Sequence, residues 1–317
     1  MAGHPDDSSA CQVGIYLPQL GLTYDELLAR ARRCEDLGYR SLWLFDHLYP
    51  PGLPDVPSFE AWTLATALLV QTSRLRVGHL VLCNGFRHPA LLAKMATSLD
   101  VVSGGRLELG IGSGSYQPEH GQAGMTWSGL GERTERLAES LEILTRAFAG
   151  DRVSFAGRHY QVEDLPMRPR PAQSPRPPIT VGGVSERFTL PVVARYADVW
   201  NVPTYALGDL DRRIAALGAA CEKVGRDPAE IALSLEAVVA LAPDDRTLPE
   251  VRALAERRFG APGFGLADGG LVGTPDRVLD RLRALQELGF TRFALFTHDR
   301  AADASLGLLA EQVLSRL

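Results

Sequence analysis

Three observations predict that this chain folds as a (β/α)8 TIM barrel. Eight short apolar runs, which we interpret as buried strands, alternate with helical segments along the 317 residues. The links between them are short, which implies parallel strands and right-handed crossovers. One junction occurs twice, because Asp36-Leu-Gly-Tyr before the second strand matches Glu287-Leu-Gly-Phe before the eighth. Eight such modules close into a barrel; a doubly wound open sheet is the alternative fold.

The strands are short and buried, so their bounds follow the apolar runs. We assign them to 13–17, 40–45, 75–83, 106–111, 179–181, 197–201, 231–241 and 292–296. Each is followed by a helical segment or a loop at its carboxyl end. That end is the side on which barrel enzymes build their sites.

Capping signals locate the first three helices. Thr23 and Glu26 form a capping box for a helix that stops at Gly38. Ser58 is the expected cap of a second helix that runs to Gln71. In the third helix, over 88–102, four apolar residues at helical spacing predict the face that meets the sheet. They are Leu91, Met95, Leu99 and Val102.

The remaining helices are expected over 131–148, 185–196, 209–224, 248–259, 274–289 and 302–314. We predict a disordered tail over 1–10 and a single barrel domain over 11–317. Two insertions interrupt the barrel. One is proline-rich and covers about 151–178, and the other covers about 242–273 at the C-terminal mouth.

Composition excludes several classes of protein. Hydrophobic residues make up 45% and charged residues 22% of the chain, as in globular enzymes, and the net charge of -5 argues against a nucleic-acid surface. The four cysteines lie far apart, with no pair spaced for zinc or a disulfide framework. The N-terminus has no apolar core for a signal peptide, and no apolar run is long enough for a membrane. We therefore expect a cytoplasmic protein.

A glycine-rich loop is the first candidate for a cofactor site. Gly110, Gly112 and Gly114 follow one another at the end of the fourth strand. Glycines spaced in this way let main chain approach a flat or anionic ligand, because no Cβ intervenes. A second candidate is Gly182-Gly183, which we expect at the start of a helix, where N–H groups and the helix dipole favour a phosphate. Plain turns are the alternative at both places.

His47 is the best catalytic candidate, because histidine titrates near neutrality and Asp46 lies beside it at the end of the second strand. Glu119 and His120 either react or hold the loop, and the residues alone do not decide. We expect no metal, because the spacing of His47, Glu119 and His120 matches no established metal site. A glycine-lined wall, a phosphate site and one ionisable pair suit a bound redox cofactor better than a hydrolase.

Several blocks, in this order and spacing, resemble the luciferase-like monooxygenase superfamily, and more narrowly its branch that uses the deazaflavin coenzyme F420. They are Ser41-Leu-Trp-Leu-Phe-Asp-His47, Phe86-Arg-His-Pro-Ala90, Leu99-Asp-Val-Val-Ser-Gly-Gly-Arg-Leu-Glu-Leu-Gly-Ile-Gly-Ser-Gly114 with Glu119-His120, Pro178-Ile-Thr-Val-Gly-Gly183 and Ala197-Asp-Val-Trp-Asn201.

The resemblance implies an eight-stranded barrel, a homodimer, and a flavin-like ring near the barrel mouth. It implies that Asp46 and His47 contact the cofactor and transfer a proton, and that Leu80-Val81 forms a bulge, often a cis peptide, behind the ring. The other positions that it matches to cofactor contacts are Cys83, Gly112, Ser113, Gly114, Ser115, Gly182, Gly183 and Val184.

Ser115 departs from the pattern. F420-dependent sugar-phosphate dehydrogenases carry a glutamate proton donor at that place, so oxidation of a sugar phosphate is in doubt. The resemblance implies an F420-dependent oxidoreductase that moves a hydride between the cofactor and a small organic substrate. The alternatives are an FMN-dependent monooxygenase fed by a separate reductase, and a barrel that binds the cofactor without catalysis. The sequence does not name the substrate.

Overall fold

The computed structural model describes residues 11–260 and 264–317. The predicted disordered tail, 1–10, and residues 261–263 of the predicted mouth insertion lie outside the described residues. The strands are β1 Gln12–Tyr16, β2 Ser41–Leu44, β3 Arg76–His79, β4 Leu82–Cys83, β5 Leu107–Gly112, β6 Arg152–Ala156, β7 Gln161–Pro166, β8 Ile179–Gly182, β9 Val199–Val202, β10 Ala232–Leu241, β11 Leu271–Gly273 and β12 Phe290–Thr297. The helices are α1 Tyr24–Asp36, α2 Ala61–Gln71, α3 Pro89–Val102, α4 Gln117–Gln122, α5 Leu130–Ala149, α6 Thr189–Tyr196, α7 Leu210–Glu222, α8 Leu248–Phe259, α9 Leu266–Gly269, α10 Pro275–Glu287 and α11 Asp303–Gln312.

Eight parallel strands close into a barrel in the order β1-β2-β3-β5-β8-β9-β10-β12. The ring closes where β12 pairs with β1, with Val13 opposite Phe293. The predicted (β/α)8 barrel is therefore confirmed, and the open sheet is wrong because its first and last strands would not meet. The apolar residues between the strands and the surrounding helices form one large buried cluster, which fixes the carboxyl ends of the strands as a rigid rim.

The predicted third strand is interrupted. A cis peptide bond joins Leu80 and Val81, between β3 and β4, and is the bulge that the resemblance implies. After it the chain resumes pairing with β5, where Cys83 lies opposite Gly112. The interruption pushes two apolar side chains towards the barrel mouth.

Two helix starts differ from the prediction. The cap of α2 is Glu60, whose carboxylate accepts the N–H groups of Trp62 and Thr63; a charged acceptor at a helix N-terminus replaces the expected Ser58. Helix α6 begins at Thr189 instead of 185, because the chain first makes a turn in which Thr189 N–H and Leu190 N–H both bond to the Ser185 carbonyl.

The predicted buried stripe of α3 is wrong for two of its four residues. Leu91 is 55% exposed and Val102 is 63% exposed, whereas Leu99 is buried. The buried side is built instead on Leu92, Ala93, Ala96 and Leu99. Apolar residues lie on both sides of this helix, so spacing alone selects the wrong one; small alanines allow the close approach to the barrel and α5.

The two insertions add strands to the eight-stranded barrel. Strands β6 and β7 form an antiparallel hairpin apart from the barrel sheet. Strand β11 extends the barrel sheet beside β10, with Leu241 opposite Gly273. None of the helices in the described part of the chain is both long and apolar enough to cross a membrane.

Candidate active site

A cavity of about 940 Å3 opens at the carboxyl ends of the strands. This volume is within the usual range for a site that takes a cofactor or a small molecule. Every residue that the sequence matched to a cofactor contact lines this cavity. These residues are Asp46, His47, Leu80, Val81, Cys83, Gly112, Ser113, Gly114, Ser115, Gly182, Gly183 and Val184.

Val81 explains why the ends of β5 and β8 are glycines. A Cβ on Gly112 would lie 2.7 Å from Val81 Cγ2, and one on Gly182 would lie 3.0 Å from Val81 Cγ1. The bulge therefore sets the Val81 side chain into the gap between two strand ends. The glycines make room for this side chain, and the result is a flat apolar platform of Leu80 and Val81 at the cavity wall.

Asp46 is a buried anchor of the same wall. Its Oδ2 accepts hydrogen bonds from Cys83 N–H at 2.8 Å and from Arg87 Nη1 at 2.7 Å, and its Oδ1 accepts from Arg87 Nη2 at 3.0 Å. This bidentate pair neutralises the carboxylate, which is only 4% exposed. Asp46 thus holds β4 in place behind the platform.

His47 is oriented by Glu119, which the sequence left undecided. His47 Nδ1 lies 2.9 Å from Glu119 Oε1, and Glu119 Oε2 accepts the N–H of Leu48 at 3.0 Å. Glu119 is only 1% exposed. A carboxylate acceptor fixes the His47 proton on Nδ1, so Nε2 is the nitrogen left for the cavity. Glu119 is therefore a positioning residue.

His120 holds Cys83. Its Nδ1 donates to the Tyr116 carbonyl at 3.1 Å, which leaves Nε2 to accept the Cys83 S–H at 3.5 Å. Burial raises the pKa of the Cys83 thiol to about 12. Cys83 stays protonated near neutral pH and presents an apolar sulfur to the cavity instead of a nucleophile.

The anion site predicted at Gly182-Gly183 is a turn and does not open a helix directly. Gly183 has φ +122°, a conformation that requires glycine, and its N–H bonds to the Asn201 carbonyl at 3.3 Å. In the part of the chain that the structure describes, no hydrogen bond uses the N–H groups of Val184 and Ser185. Successive main-chain N–H groups in such a turn form a concave anion site.

Three arginines add positive charge to the cavity: Arg133, Arg258 and Arg300 line it. Arg133 lies over the Trp127 ring at 3.8 Å, and Arg258 and Arg300 donate to the backbone carbonyls of His298 and Leu20. None of the three forms an ion pair with a carboxylate among the described residues. These three arginines therefore give the cavity guanidinium groups with which an anionic ligand can pair.

Glu236 is a candidate functional residue that sequence reasoning missed. It lies on β10, is 9% exposed and lines the cavity. Burial alone raises the pKa of its carboxyl group to about 8. The signal was present, because Glu236 is the one charged residue in the apolar run of 232–241. A buried carboxyl group facing a cavity with so perturbed a pKa marks a candidate catalytic acid.

Comparison with known proteins identifies the family. The sequence pattern of the luciferase-like monooxygenase family matches residues 7–260. The chain belongs to the luciferase-like monooxygenase family. The sequence predicted that the chain belongs to this family and that it is an enzyme, and both predictions are confirmed.

Individual relatives point to the branch of the family that uses F420. An F420-dependent hydroxymycolic acid dehydrogenase of Mycobacterium tuberculosis is 30% identical over 235 residues, which is 74% of this chain and 64% of that protein, just under two thirds. An F420-dependent glucose-6-phosphate dehydrogenase of Microbacterium testaceum is 28% identical over 92% of this chain and 93% of its own. Resemblance to the F420-dependent branch is therefore confirmed.

The fold has a close counterpart among solved structures. An F420-dependent secondary alcohol dehydrogenase, solved with an F420-acetone adduct, superposes with a TM-score of 0.80 over 96% of this chain and 99% of its own, at 17% identity. At that identity the likeness concerns the fold alone.

Proposed function

We propose that this protein is an F420-dependent oxidoreductase that transfers a hydride between the deazaflavin and a small organic substrate. The observation that carries the proposal is the platform of Leu80 and Val81, set between Gly112 and Gly182 in a cavity that is also lined by the turn at Gly183. The F420-dependent relatives support the choice of cofactor.

The residues fit a planar ring. The platform is apolar and flat, and the protonated sulfur of Cys83 continues it at the end of β4. A tricyclic ring that lies on this wall exchanges water for apolar contact over one whole face. The chemistry of hydride transfer belongs to the cofactor, while the protein supplies position and electrostatics.

The residues also fit an anionic tail. F420 carries a phosphate and glutamyl carboxylates, and the turn at Gly183 and Val184 offers main-chain N–H groups to such an anion. Arg133 lines the cavity without a carboxylate partner among the described residues. An anionic tail would supply the counter-charge that this arginine lacks.

In this proposal His47 takes up or returns the proton that the cofactor ring loses or gains together with the hydride. Nδ1 is held by Glu119, so Nε2 is free to accept or donate towards the cavity. Histidine is suited to this role because it changes charge near neutral pH.

The test is a fluorescence titration of the full chain with F420 and, separately, with FMN, followed by oxygen uptake with each reduced cofactor. We expect saturable binding of F420 and slow oxygen uptake. Binding of FMN alone, with rapid oxygen consumption by its reduced form, would instead establish a monooxygenase served by a separate reductase. Binding of F420 with no turnover of any substrate would favour a barrel that binds the cofactor without catalysis.

A matched pair of glycine variants ties the binding to the platform. In Gly112→Ala the new Cβ displaces Val81, and we expect F420 affinity to fall about tenfold or more, since 1.4 kcal/mol of lost contact suffices. In Gly121→Ala the new Cβ meets nothing, so affinity should not change. Equal F420 affinities for the two variants would show that Val81 does not contact the cofactor.

The same proposal includes a homodimer in the cytoplasm. Leu91 and Val102 are exposed on α3, and Val70 is exposed on α2. Exposed apolar side chains are typical of interfaces where they form one patch, and these three are the residues that we expect to contribute. All four cysteines are free thiols, as a reducing compartment favours. Light scattering on the wild type and Val102→Glu tests the dimer, which the charged variant should weaken.

A further inference from the structure

The barrel order sets Glu236 across from the platform. In the closed ring, β3 and β10 are separated by four steps in either direction, so they lie on opposite sides. Leu80 and Val81 follow the end of β3, and Glu236 lies on β10. A planar ring that covers the platform therefore turns its other face towards Glu236.

The wall around Glu236 is aromatic. Tyr16 and Phe296 are in edge contact at 5.3 Å, Phe259 meets Phe296 at 4.7 Å, and Phe264 meets Phe259 at 5.4 Å. Tyr16 spans the gap, because it packs both against this aromatic cluster and against the cluster that contains Leu80. The space between platform and β10 thus has one apolar wall on each side and a single carboxyl group in it.

Four other titratable or charged residues in the described part of the chain line the cavity on the side of Glu236. The titratable or charged residues that line it from the neighbouring elements are Tyr16 on β1, Tyr205 after β9, Arg258 on α8 and Arg300 after β12. The pKa of Tyr16 is raised, first by burial and then by the negative charge of Glu236, which marks the two groups as neighbours. Neither arginine lowers the pKa of Glu236, which is shifted by burial alone.

The position of Glu236 also offers an acid in place of one that this chain lacks elsewhere in the cavity. The acid that sugar-phosphate dehydrogenases of this family carry after the Gly-x-Gly is replaced here by Ser115. Asp46 and Glu119, the other carboxylates of the cavity, are engaged by Arg87 and His47. Among the described residues, Glu236 is the cavity carboxyl group that has no cation or histidine partner.

On these grounds we propose that Glu236 is the proton donor to the substrate, and that the substrate presents an uncharged carbonyl group between the platform and the aromatic wall. The proposal rests on the proposed function, which supplies reduced deazaflavin as the hydride donor.

As a hydride adds to the carbonyl carbon, the π electron pair of the C=O bond takes the Glu236 proton, and an alcohol forms. Glu236 is left as a carboxylate and takes a proton back from solvent. His47 would take up the proton that the bound cofactor releases on oxidation and pass it to solvent, which returns the enzyme to its starting state. In the reverse direction the Glu236 carboxylate takes the alcohol proton.

The deciding experiment measures binding of acetophenone, an apolar ketone, to the F420-loaded full chain at about pH 6.5 and about pH 9.5. Fluorescence of the cofactor follows binding, and the infrared carbonyl stretch of the ketone reports a hydrogen bond. We expect wild-type affinity to fall about tenfold or more at the higher pH, because the donor is then ionised. In Glu236→Gln the amide still donates, so affinity should be independent of pH.

Turnover separates proton donation from binding. With acetophenone as oxidant of the reduced cofactor, Glu236→Gln should lower kcat by about 100-fold or more with little change in KM, and Glu236→Asp should recover part of the rate. Glu222→Gln, on the exposed surface of α7, is the matched control and should behave as wild type.

The proposal and the proposed function fail differently. A wild type that binds no F420 would refute the proposed function. Bound F420 with no acetophenone binding, or with the same pH dependence in wild type and Glu236→Gln, would overturn the role of Glu236 alone. An infrared titration of the cofactor-free chain gives an independent check, since the band of a protonated buried carboxyl group should disappear near pH 8 in the wild type and be missing in Glu236→Gln.

Discussion

Two buried glutamates at opposite ends of the barrel interior have opposite surroundings. Glu108, near the start of β5, is 3% exposed and pairs with Arg76, while Arg292 lies 3.9 Å from its other oxygen. Glu236, in the middle of β10, is 9% exposed and lines the open cavity without a cation partner among the described residues. At the closed end of the barrel, arginines of the protein neutralise the Glu108 carboxylate. At the open end, the partner that we propose for Glu236 is the bound substrate. Barrel enzymes divide stability and function between the same two ends.

The largest effect should come from breaking the closed end. In Glu108→Gln, the guanidinium of Arg76 keeps its backbone partners but loses the carboxylate, and Arg292 loses its nearest negative charge. We expect the free energy of unfolding to fall by about 3–5 kcal/mol, as when one partner of a buried pair is removed. Urea unfolding measures it.

Glu236→Gln is the matched comparison, and at neutral pH it should raise the free energy of unfolding instead of lowering it, because the wild type must hold a proton on this buried carboxyl group well above its unfolded pKa. Glu236 has no cation partner among the described residues, so its removal leaves no positive charge unpaired. If both variants lost stability equally, the division between the two ends of the barrel would be wrong.

The second effect is the pH dependence of that stability. The pKa of Glu236 is raised from 4.5 to about 8 in the folded chain, so the folded state holds the proton more tightly than the unfolded state does. Its contribution is complete below about pH 4.5 and is lost as the pH rises through about 8. Subtracting Glu236→Gln from wild type isolates this group, and the difference in unfolding free energy should fall by about 4 kcal/mol across that window. Parallel curves for the two proteins would mean that the carboxyl group is hydrated or paired in solution.

The sequence could predict the fold because its signals are local. The capping box at Thr23 and the alternation of apolar runs depend on neighbours along the chain, and both are found in the structure. The α3 stripe failed because Leu91 and Leu92 are equally apolar and only tertiary packing decides which is buried.

The site depended more on long-range geometry. Leu-Glu-Leu around Glu108 and Leu-Glu-Ala around Glu236 are nearly the same pattern. Which end of the barrel each occupies follows from strand register, which a single sequence does not give. The packing of Val81 between Gly112 and Gly182 joins three strands, so the glycines alone suggested a ligand where a side chain lies.

The smallest effect sharpens the comparison with a third glutamate. Glu119 is as buried as Glu108 but lies at the open end, and its partners are the His47 ring and the Leu48 N–H. Glu119→Gln keeps the shape and can accept only through one oxygen, so one of the two hydrogen bonds is lost at a cost of about 1 kcal/mol. Nitrogen NMR of His47 should show the proton fixed on Nδ1 in wild type and shared between both nitrogens in the variant, with F420 affinity reduced about three- to tenfold. The double variant with His47→Asn should bind F420 no more weakly than His47→Asn alone, because Glu119 acts through His47; additive losses would show that Glu119 meets the cofactor on its own account.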